Sequence, residues 1–155
     1  MNFEPVRNLH LVGTTFFSKG GGRYIFGLGP DLIVDADGSP ELVNAKSGIG
    51  GAEITVRKTL LFGYYGIATY DQVTTTDIGG KTIGYGIPGA TGANHKIEET
   101  TAGLNHAVFN DPSHGALRVM VQYSYVTRTP WSVPAGTPTR AKTNMFYFNI
   151  RYVLP

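Results

Sequence analysis

The chain has 155 residues, the length of one ordinary domain, and its formal charge of +2 without a cluster of Lys or Arg argues against nucleic acid as a partner. It contains no cysteine, which excludes disulfides and thiolate ligands. Charged residues make up 15% of the chain, against about 25% in a typical soluble domain.

Alternation of apolar and polar residues predicts an all-β, antiparallel up-and-down meander of about six strands. No stretch has the pattern of an amphipathic helix. A further short strand is possible at Leu32–Val34. The six predicted strands are Leu9–Ser18, Ser47–Arg57, Leu60–Tyr70, Lys96–Phe109, Ala116–Arg128 and Thr143–Leu154.

Each of the last two strands has one apolar or aromatic face and one face with arginine and amides, because successive side chains point to opposite sides. Such strands suit a sheet between a hydrophobic medium and water. A protein core and a lipid bilayer both qualify as that medium. The apolar rows are Leu117, Val119, Val121, Tyr123 and Tyr125, and Phe146, Phe148, Ile150, Tyr152 and Leu154.

The predicted connections alternate between long and short. Those over 20–44, 71–95 and 129–142 are long, whereas those over 57–59 and 110–115 are short. Outer-membrane barrels have short periplasmic turns and long external loops. We expect 71–95 to lack regular structure, which is uncommon in compact soluble domains.

Four segments of the chain carry a family resemblance. They are Leu60-Leu61-Phe62-Gly63-Tyr64-Tyr65-Gly66, Gly84-Tyr85-Gly86-Ile87-Pro88-Gly89, Gln122-Tyr123-Ser124-Tyr125-Val126-Thr127-Arg128 with Pro130-Trp131, and Ile150-Arg151-Tyr152-Val153-Leu154-Pro155. These segments resemble the C-terminal part of bacterial outer-membrane porin-like β-barrel proteins, and the resemblance covers nearly the whole chain. It implies a larger barrel in the bacterial outer membrane, with a water-filled lumen for passive diffusion of small hydrophilic solutes.

The expected unit is a single partial β-barrel domain over residues 1–155, the C-terminal segment of a longer barrel. Six strands are fewer than the eight of the smallest membrane barrels. An open sheet in lipid would leave two edges of unpaired backbone groups, at several kcal/mol per group. The expected partners are therefore the lipid bilayer and either the remaining strands of the barrel or other copies of the chain. The start of the chain, Met1–Arg7, does not read as a signal peptide.

On the barrel interpretation, seven polar residues line the pore. Arg118 and Arg151, together with Arg128, would favour anions. The alternative is that these charges pair with one another across strands and form only a solvated face. The predicted pore-lining residues are Glu53, Arg57, Glu99, Arg118, Gln122, Asn149 and Arg151.

Six aromatic residues are predicted to lie at the membrane borders, where an apolar ring with a polar tip suits the interface. The alternative is that they serve strand formation in a soluble core. These residues are Tyr64, Tyr70, Tyr123, Tyr125, Trp131 and Tyr152.

No motif indicates an enzyme, a metal or a cofactor. The four histidines lack metal-ligand spacing, no Ser lies in a Gly-x-Ser-x-Gly elbow, and the carboxylates near Asp37 do not match an EF-hand. The alternative function is a soluble β-sandwich that binds carbohydrate or a protein through its long loops. A sandwich would bury Phe146, Phe148, Val119 and Val121, whereas a barrel would expose them in an outer apolar band.

Overall fold

The computed structural model describes residues 2–25 and 28–154, so Met1, Phe26, Gly27 and Pro155 lie outside the description. The described residues form eleven strands and one short 3-10 turn at Gly22–Tyr24. The strands are β1 (Asn2–Val6), β2 (Leu9–Lys19), β3 (Leu32–Val34), β4 (Pro40–Leu42), β5 (Asn44–Val56), β6 (Thr59–Tyr70), β7 (Val73–Thr76), β8 (Thr82–Tyr85), β9 (Asn94–Asp111), β10 (Gly115–Pro130) and β11 (Ala141–Val153).

Seven of the strands form one antiparallel sheet in the order β1-β2-β5-β6-β9-β10-β11. The predicted all-β antiparallel meander is confirmed, and each of the six predicted strands is present. The sheet is open, with β1 and β11 as its edges, and does not close into a barrel. Strand β1 was not predicted, because it has only five residues and contains Pro5, a residue that disfavours strand interiors.

All connections of one kind lie at one end of the sheet. The turns 7–8, 57–58 and 112–114 join strands at the short-turn end. The connections 20–43, 71–93 and 131–140 join them at the opposite, long-loop end. The predicted alternation of loop lengths is therefore confirmed.

Two of the long loops contain small hairpins. Strand β3, which was predicted, pairs with β4, and β7 pairs with β8. The expectation that 71–95 lacks regular structure was wrong. Its Thr- and Gly-rich strands have four residues each, too short to show a hydrophobic period.

Outside the register shifts in β1 and near the two ends of the β9–β10 pair, the strand register assigns the side chains of the large sheet to one of two faces. Glu53, Phe62, Gly103, Gln122 and Tyr147 form one continuous row of paired residues across the sheet. Residues two positions away along each strand share that face.

The face that carries Glu53 is concave. Thr14 of β2 and Met145 of β11 line one cavity on it, although five strand spacings would separate these strands by roughly 24 Å in a flat sheet. We call this side the concave face and the opposite side the outer face.

A small hydrophobic core lies at the long-loop end. It consists of Ile25, Ala45, Ala68 and Tyr70, with Tyr85 packed against it. The core joins loop 20–43 to strands β5 and β6. In the part of the chain that the structure describes, no helix is long and apolar enough to cross a membrane.

Candidate functional site

Two aromatic side chains of β6 lie over glycines on the concave face. A Cβ atom added to Gly103 would lie 2.5 Å from the Phe62 ring, and one added to Gly51 would lie 2.3 Å from the Tyr64 ring. Both glycines are direct cross-strand partners of the ring that covers them. The two rings are 5.6 Å apart, so they form a continuous aromatic surface in the middle of the concave face.

A cavity of about 760 Å³ lies between this surface and loop 20–43. Its walls are mostly apolar and include Ile49, Phe62, Ile97 and Val126. Its roof is formed by Tyr24, Ile25 and Leu28 of the loop. Cavities of this size with apolar walls and few polar groups are typical of small-molecule sites.

Hydrogen bonds hold the roof of the cavity to the sheet. The hydroxyl of the fully buried Tyr70 donates to the Ile25 carbonyl oxygen at 2.9 Å. The amide nitrogen Nδ2 of Asn94 donates to the Leu28 carbonyl oxygen at 2.7 Å. Gly29 packs against the Tyr70 ring so closely that a Cβ atom would lie 2.3 Å from it. The loop is therefore attached at two carbonyl groups and one glycine.

Glu99 is the one carboxylate among the described residues that line this cavity. The Thr101 hydroxyl donates to its Oε1 atom at 2.8 Å, and no described residue donates to its Oε2 atom. Glu53, the carboxylate of β5 on the same face, accepts a hydrogen bond from the Tyr64 hydroxyl. Glu99 also lines a second cavity of about 420 Å³ toward the short-turn end, so it lies between the two spaces.

Six of the seven predicted pore-lining residues share the concave face. These are Glu53, Glu99, Arg118, Gln122, Asn149 and Arg151. Arg57 instead lies in the 57–58 turn with a φ of 54°. The structure therefore brings six of these side chains to one surface.

The alternative in which these charges neutralise one another is not what the structure shows. None of the seven residues forms a salt bridge with another described residue. Arg118 and Arg151 are instead direct cross-strand partners, an arrangement of like charges that costs free energy. Arg128 is engaged differently, since its guanidinium donates to Asn94 and to the carbonyl oxygens of Thr91 and Gly92.

Five of the six predicted border aromatics lie in strands of the sheet, where they take three positions. Tyr123, Tyr125 and Tyr152 lie on the outer face. Tyr64 lies on the concave face, and Tyr70 is 0% exposed, so neither has the predicted position. Both belong to β6, whose even-numbered residues, these two included, lie on the concave face.

Trp131 lies at the long-loop end, with its ring 4.0 Å from the His95 ring and its Nε1 atom donating to the Tyr70 carbonyl oxygen at 3.1 Å. These contacts connect the 131–140 loop to the ends of β6 and β9. Its place at a membrane border stays a prediction, and its indole nitrogen is already bonded within the protein.

The outer face is apolar and uncovered. Phe146 is 69% and Phe148 61% exposed, and Val119 and Val121 are partly exposed. In the described ranges the only other sheets are the two-stranded hairpins β3-β4 and β7-β8. The burial that a sandwich requires of these four residues is therefore absent.

A charged cluster lies on the outer face near the long-loop end, and sequence reasoning missed it. Glu98 forms salt bridges with Lys96 and Arg140, and it accepts a hydrogen bond of 2.9 Å from the Tyr65 hydroxyl. A signal for this cluster was available in the sequence, because the alternation places the charged residues Lys96 and Glu98 on the otherwise apolar face of β9. This cluster marks the level at which the apolar surface ends.

The fold and these surfaces define a class: an all-β protein with a curled, open antiparallel sheet. Its outer face is apolar, and its concave face carries both apolar and charged residues. No protein-family model, curated protein or solved structure matches the chain.

Proposed function

We propose that the chain forms part of the wall of a transmembrane β-barrel in a bacterial outer membrane. Its outer face contacts lipid, and its concave face lines a passage for the diffusion of small hydrophilic solutes. The observation that carries the proposal is the exposed apolar outer face, on which Phe146, Phe148, Ile150 and Tyr152 are each more than half exposed. A contiguous surface of this kind requires an apolar partner.

The extent of the apolar surface supports lipid as that partner. From Tyr125 to Leu117 the outer face of β10 covers eight residue steps, about 26 Å along the strand. At a tilt of about 40°, this corresponds to about 20 Å of height, most of the apolar band of about 25 Å in known barrels. The charged cluster around Glu98 lies beyond this band.

Strand length and loop distribution give independent support. The six main strands have 11 to 18 residues, whereas the mean strand of a soluble protein has about 5–6 and a membrane strand needs about 9–11. The short turns all lie at one end of the sheet, as in outer-membrane barrels.

The strand count indicates which partner completes the barrel. Because seven strands alternate in direction, the edge strands β1 and β11 run the same way. A fully antiparallel barrel therefore needs an odd number of additional strands between them. Two copies in the same orientation would pair β1 with β11 in parallel, which a fully antiparallel barrel does not allow. Two copies in opposite orientations would pair β1 with β1 and β11 with β11, but their short turns would then lie on opposite sides of the membrane, unlike the one-sided short turns of outer-membrane barrels. We infer that the partner is a further set of strands rather than a second copy.

The concave face would bias the passage of ions by charge. Arg118 and Arg151 lie toward the short-turn end without acidic partners among the described residues, and Glu53 and Glu99 lie nearer the middle. Unpaired arginines attract anions. The proposal is accordingly a passage with an anion-attracting end.

Single-cysteine labelling tests which face meets lipid, since the natural chain has no cysteine. Phe148→Cys and Tyr147→Cys are matched, because the two residues are neighbours on β11, lie on opposite faces and are both exposed. Each variant of the full chain, together with the strands that complete the barrel, is labelled with an environment-sensitive fluorophore in phosphatidylcholine vesicles. We expect blue-shifted emission that iodide does not quench at position 148, and iodide-quenched emission at position 147.

Equal quenching by iodide at both positions, in protein whose circular dichroism shows the sheet, would overturn the assignment to a membrane. Planar-bilayer conductance then tests the passage itself. If position 148 is in lipid but the folded protein together with its remaining strands conducts no ions, the chain belongs to a barrel without a passage.

A further inference from the structure

We propose that the cavity beneath loop 20–43 is a binding site for a small apolar amine, with Glu99 as the group that receives the ammonium. This site goes beyond the passage proposed above, because the cavity is complete within this one chain. Its existence requires neither a closed barrel nor a membrane.

The size and walls of the cavity determine the apolar part of the ligand. A volume of about 760 Å³ admits a molecule with two or three fused rings or a medium alkyl chain. Phe62, Ile97 and Val126 on the sheet face Tyr24 and Leu28 on the roof. A hydrophilic solute would leave most of these walls without favourable contacts, whereas an apolar body buries them.

The charge in the cavity determines the polar part of the ligand. Glu99 is the single carboxylate among the described residues that line the cavity. Its Oε1 atom already accepts the Thr101 hydroxyl hydrogen bond, which orients the carboxylate. Its Oε2 atom has no described donor, and no described cation pairs with it. Glu99 is exposed to solvent within the chain. A carboxylate with an oxygen that no protein donor occupies favours a cationic donor, because charge-assisted hydrogen bonds are the strongest available.

The neighbouring polar groups do not compete for this role. Glu53 accepts the Tyr64 hydroxyl hydrogen bond, and the Thr101 hydroxyl is also within 2.7 Å of the Ser124 hydroxyl. Gln122 donates to the same serine at 3.2 Å. These groups satisfy one another, so Glu99 is left as the acceptor for a ligand.

A matched set of three fluorescent probes tests the chemistry. They are 9-(aminomethyl)anthracene, 9-anthracenemethanol and 9-anthracenecarboxylate, which share one apolar body and are cationic, neutral and anionic at pH 7. The full chain is measured in vesicles, with protein-free vesicles as the background. We expect the amine to bind about tenfold more tightly than the alcohol, and the carboxylate more weakly than both.

Two glycines of β6 supply variants that test the location. A Cβ atom at Gly66 would have only the Gly48 carbonyl oxygen within 4 Å, at 3.9 Å, and a Cβ atom at Gly63 only the Thr101 carbonyl oxygen, at 3.9 Å. Gly66 faces the cavity, whereas Gly63 faces outward. We expect Gly66→Phe to fill the cavity and abolish binding of all three probes, while Gly63→Phe binds them as the natural chain does.

Glu99→Gln tests the role of the carboxylate, since it keeps an acceptor for Thr101 but removes the charge. We expect it to weaken the amine about tenfold and leave the alcohol unchanged. Binding that survives in Gly66→Phe, or an amine affinity that Glu99→Gln does not alter, would overturn the proposal. Because binding is measured without conductance, its failure is distinct from failure of the proposed passage.

Discussion

The hydroxyl of Tyr70 and the carbonyl oxygen of Ile25 are 2.9 Å apart and join the end of β6 to loop 20–43. Tyr70 is fully buried and Ile25 is 3% exposed. The hydrogen bond therefore lies out of water, where losing a partner costs more than at a surface. It fixes the roof over the concave face.

Tyr70→Phe is expected to loosen this roof without disturbing the sheet. The substitution removes the donor to a buried carbonyl oxygen, at a cost of about 1–3 kcal/mol. Hydrogen exchange of the amides in loop 20–43 should accelerate, whereas exchange in β9 and β10 should not change. Tyr125→Phe is the control, because the Tyr125 hydroxyl has no hydrogen-bond partner among the described residues. Slow exchange in the loop of Tyr70→Phe would show that other contacts hold it.

Gly103→Val is expected to destabilise the sheet, although valine favours strands in general. Its side chain would meet both the Phe62 ring and the Val121 carbonyl oxygen, at 2.5 and 2.6 Å. Such overpacking costs about 1–3 kcal/mol, measured as a lower urea midpoint of unfolding.

Gly50→Val is the control for this substitution. A Cβ atom at Gly50 would have only the Val12 carbonyl oxygen within 4 Å, at 4.0 Å, and should be tolerated. Equal midpoints for the two valine variants would contradict the packing of Phe62 over Gly103.

The sheet could be predicted from the sequence because its signal is local. In β10 and β11 apolar and polar residues alternate without interruption, so Val121 and Phe148 could be placed on one face, and they are direct cross-strand partners. Strand β1 gave no such signal, since Pro5 interrupts a segment of five residues. Its pairing depends on the neighbouring edge of β2, which no local pattern reveals.

The site could be predicted only in part, for a physical reason. Alternation assigns Glu53, Glu99 and Gln122 to one face, and the register agrees. It does not say that loop 20–43 folds over that face, because contacts such as Asn94 with Leu28 join residues 66 positions apart. Tyr70 and Tyr64 were misplaced because aromatic residues suit membrane borders and cores equally well.

Alkaline pH is expected to release the 71–93 loop through Tyr85. Burial raises the pKa of the Tyr85 hydroxyl above its ordinary value, and this hydroxyl donates to the Asn94 carbonyl oxygen at 2.9 Å. Since the folded pKa lies above the unfolded one, the stability linked to this group is complete below about pH 10 and is lost as the pH rises through the folded pKa.

Limited proteolysis of the loop as a function of pH measures this effect. In Tyr85→Phe, the rate at which the protease cleaves the loop should depend less on pH above about pH 10. Tyr24→Phe, at an exposed position, should be cleaved as the natural chain is. A pH profile that Tyr85→Phe leaves unchanged would assign the release to another group.

Lysine substitutions on β11 are expected to separate the two faces energetically. If the outer face meets lipid, Phe148→Lys should cost about 2–4 kcal/mol near the bilayer midplane. Tyr147→Lys, one residue away on the concave face, should cost less than about 1 kcal/mol. The free energy of unfolding of each full-chain variant, reconstituted in lipid vesicles with the strands that complete the barrel and measured with urea, gives the comparison. Both side chains are exposed within the chain itself, at 61% and 45%, so their own packing does not explain a difference. A difference near zero would mean that water, not hydrocarbon, surrounds Phe148, since an exposed lysine in water costs little on either face.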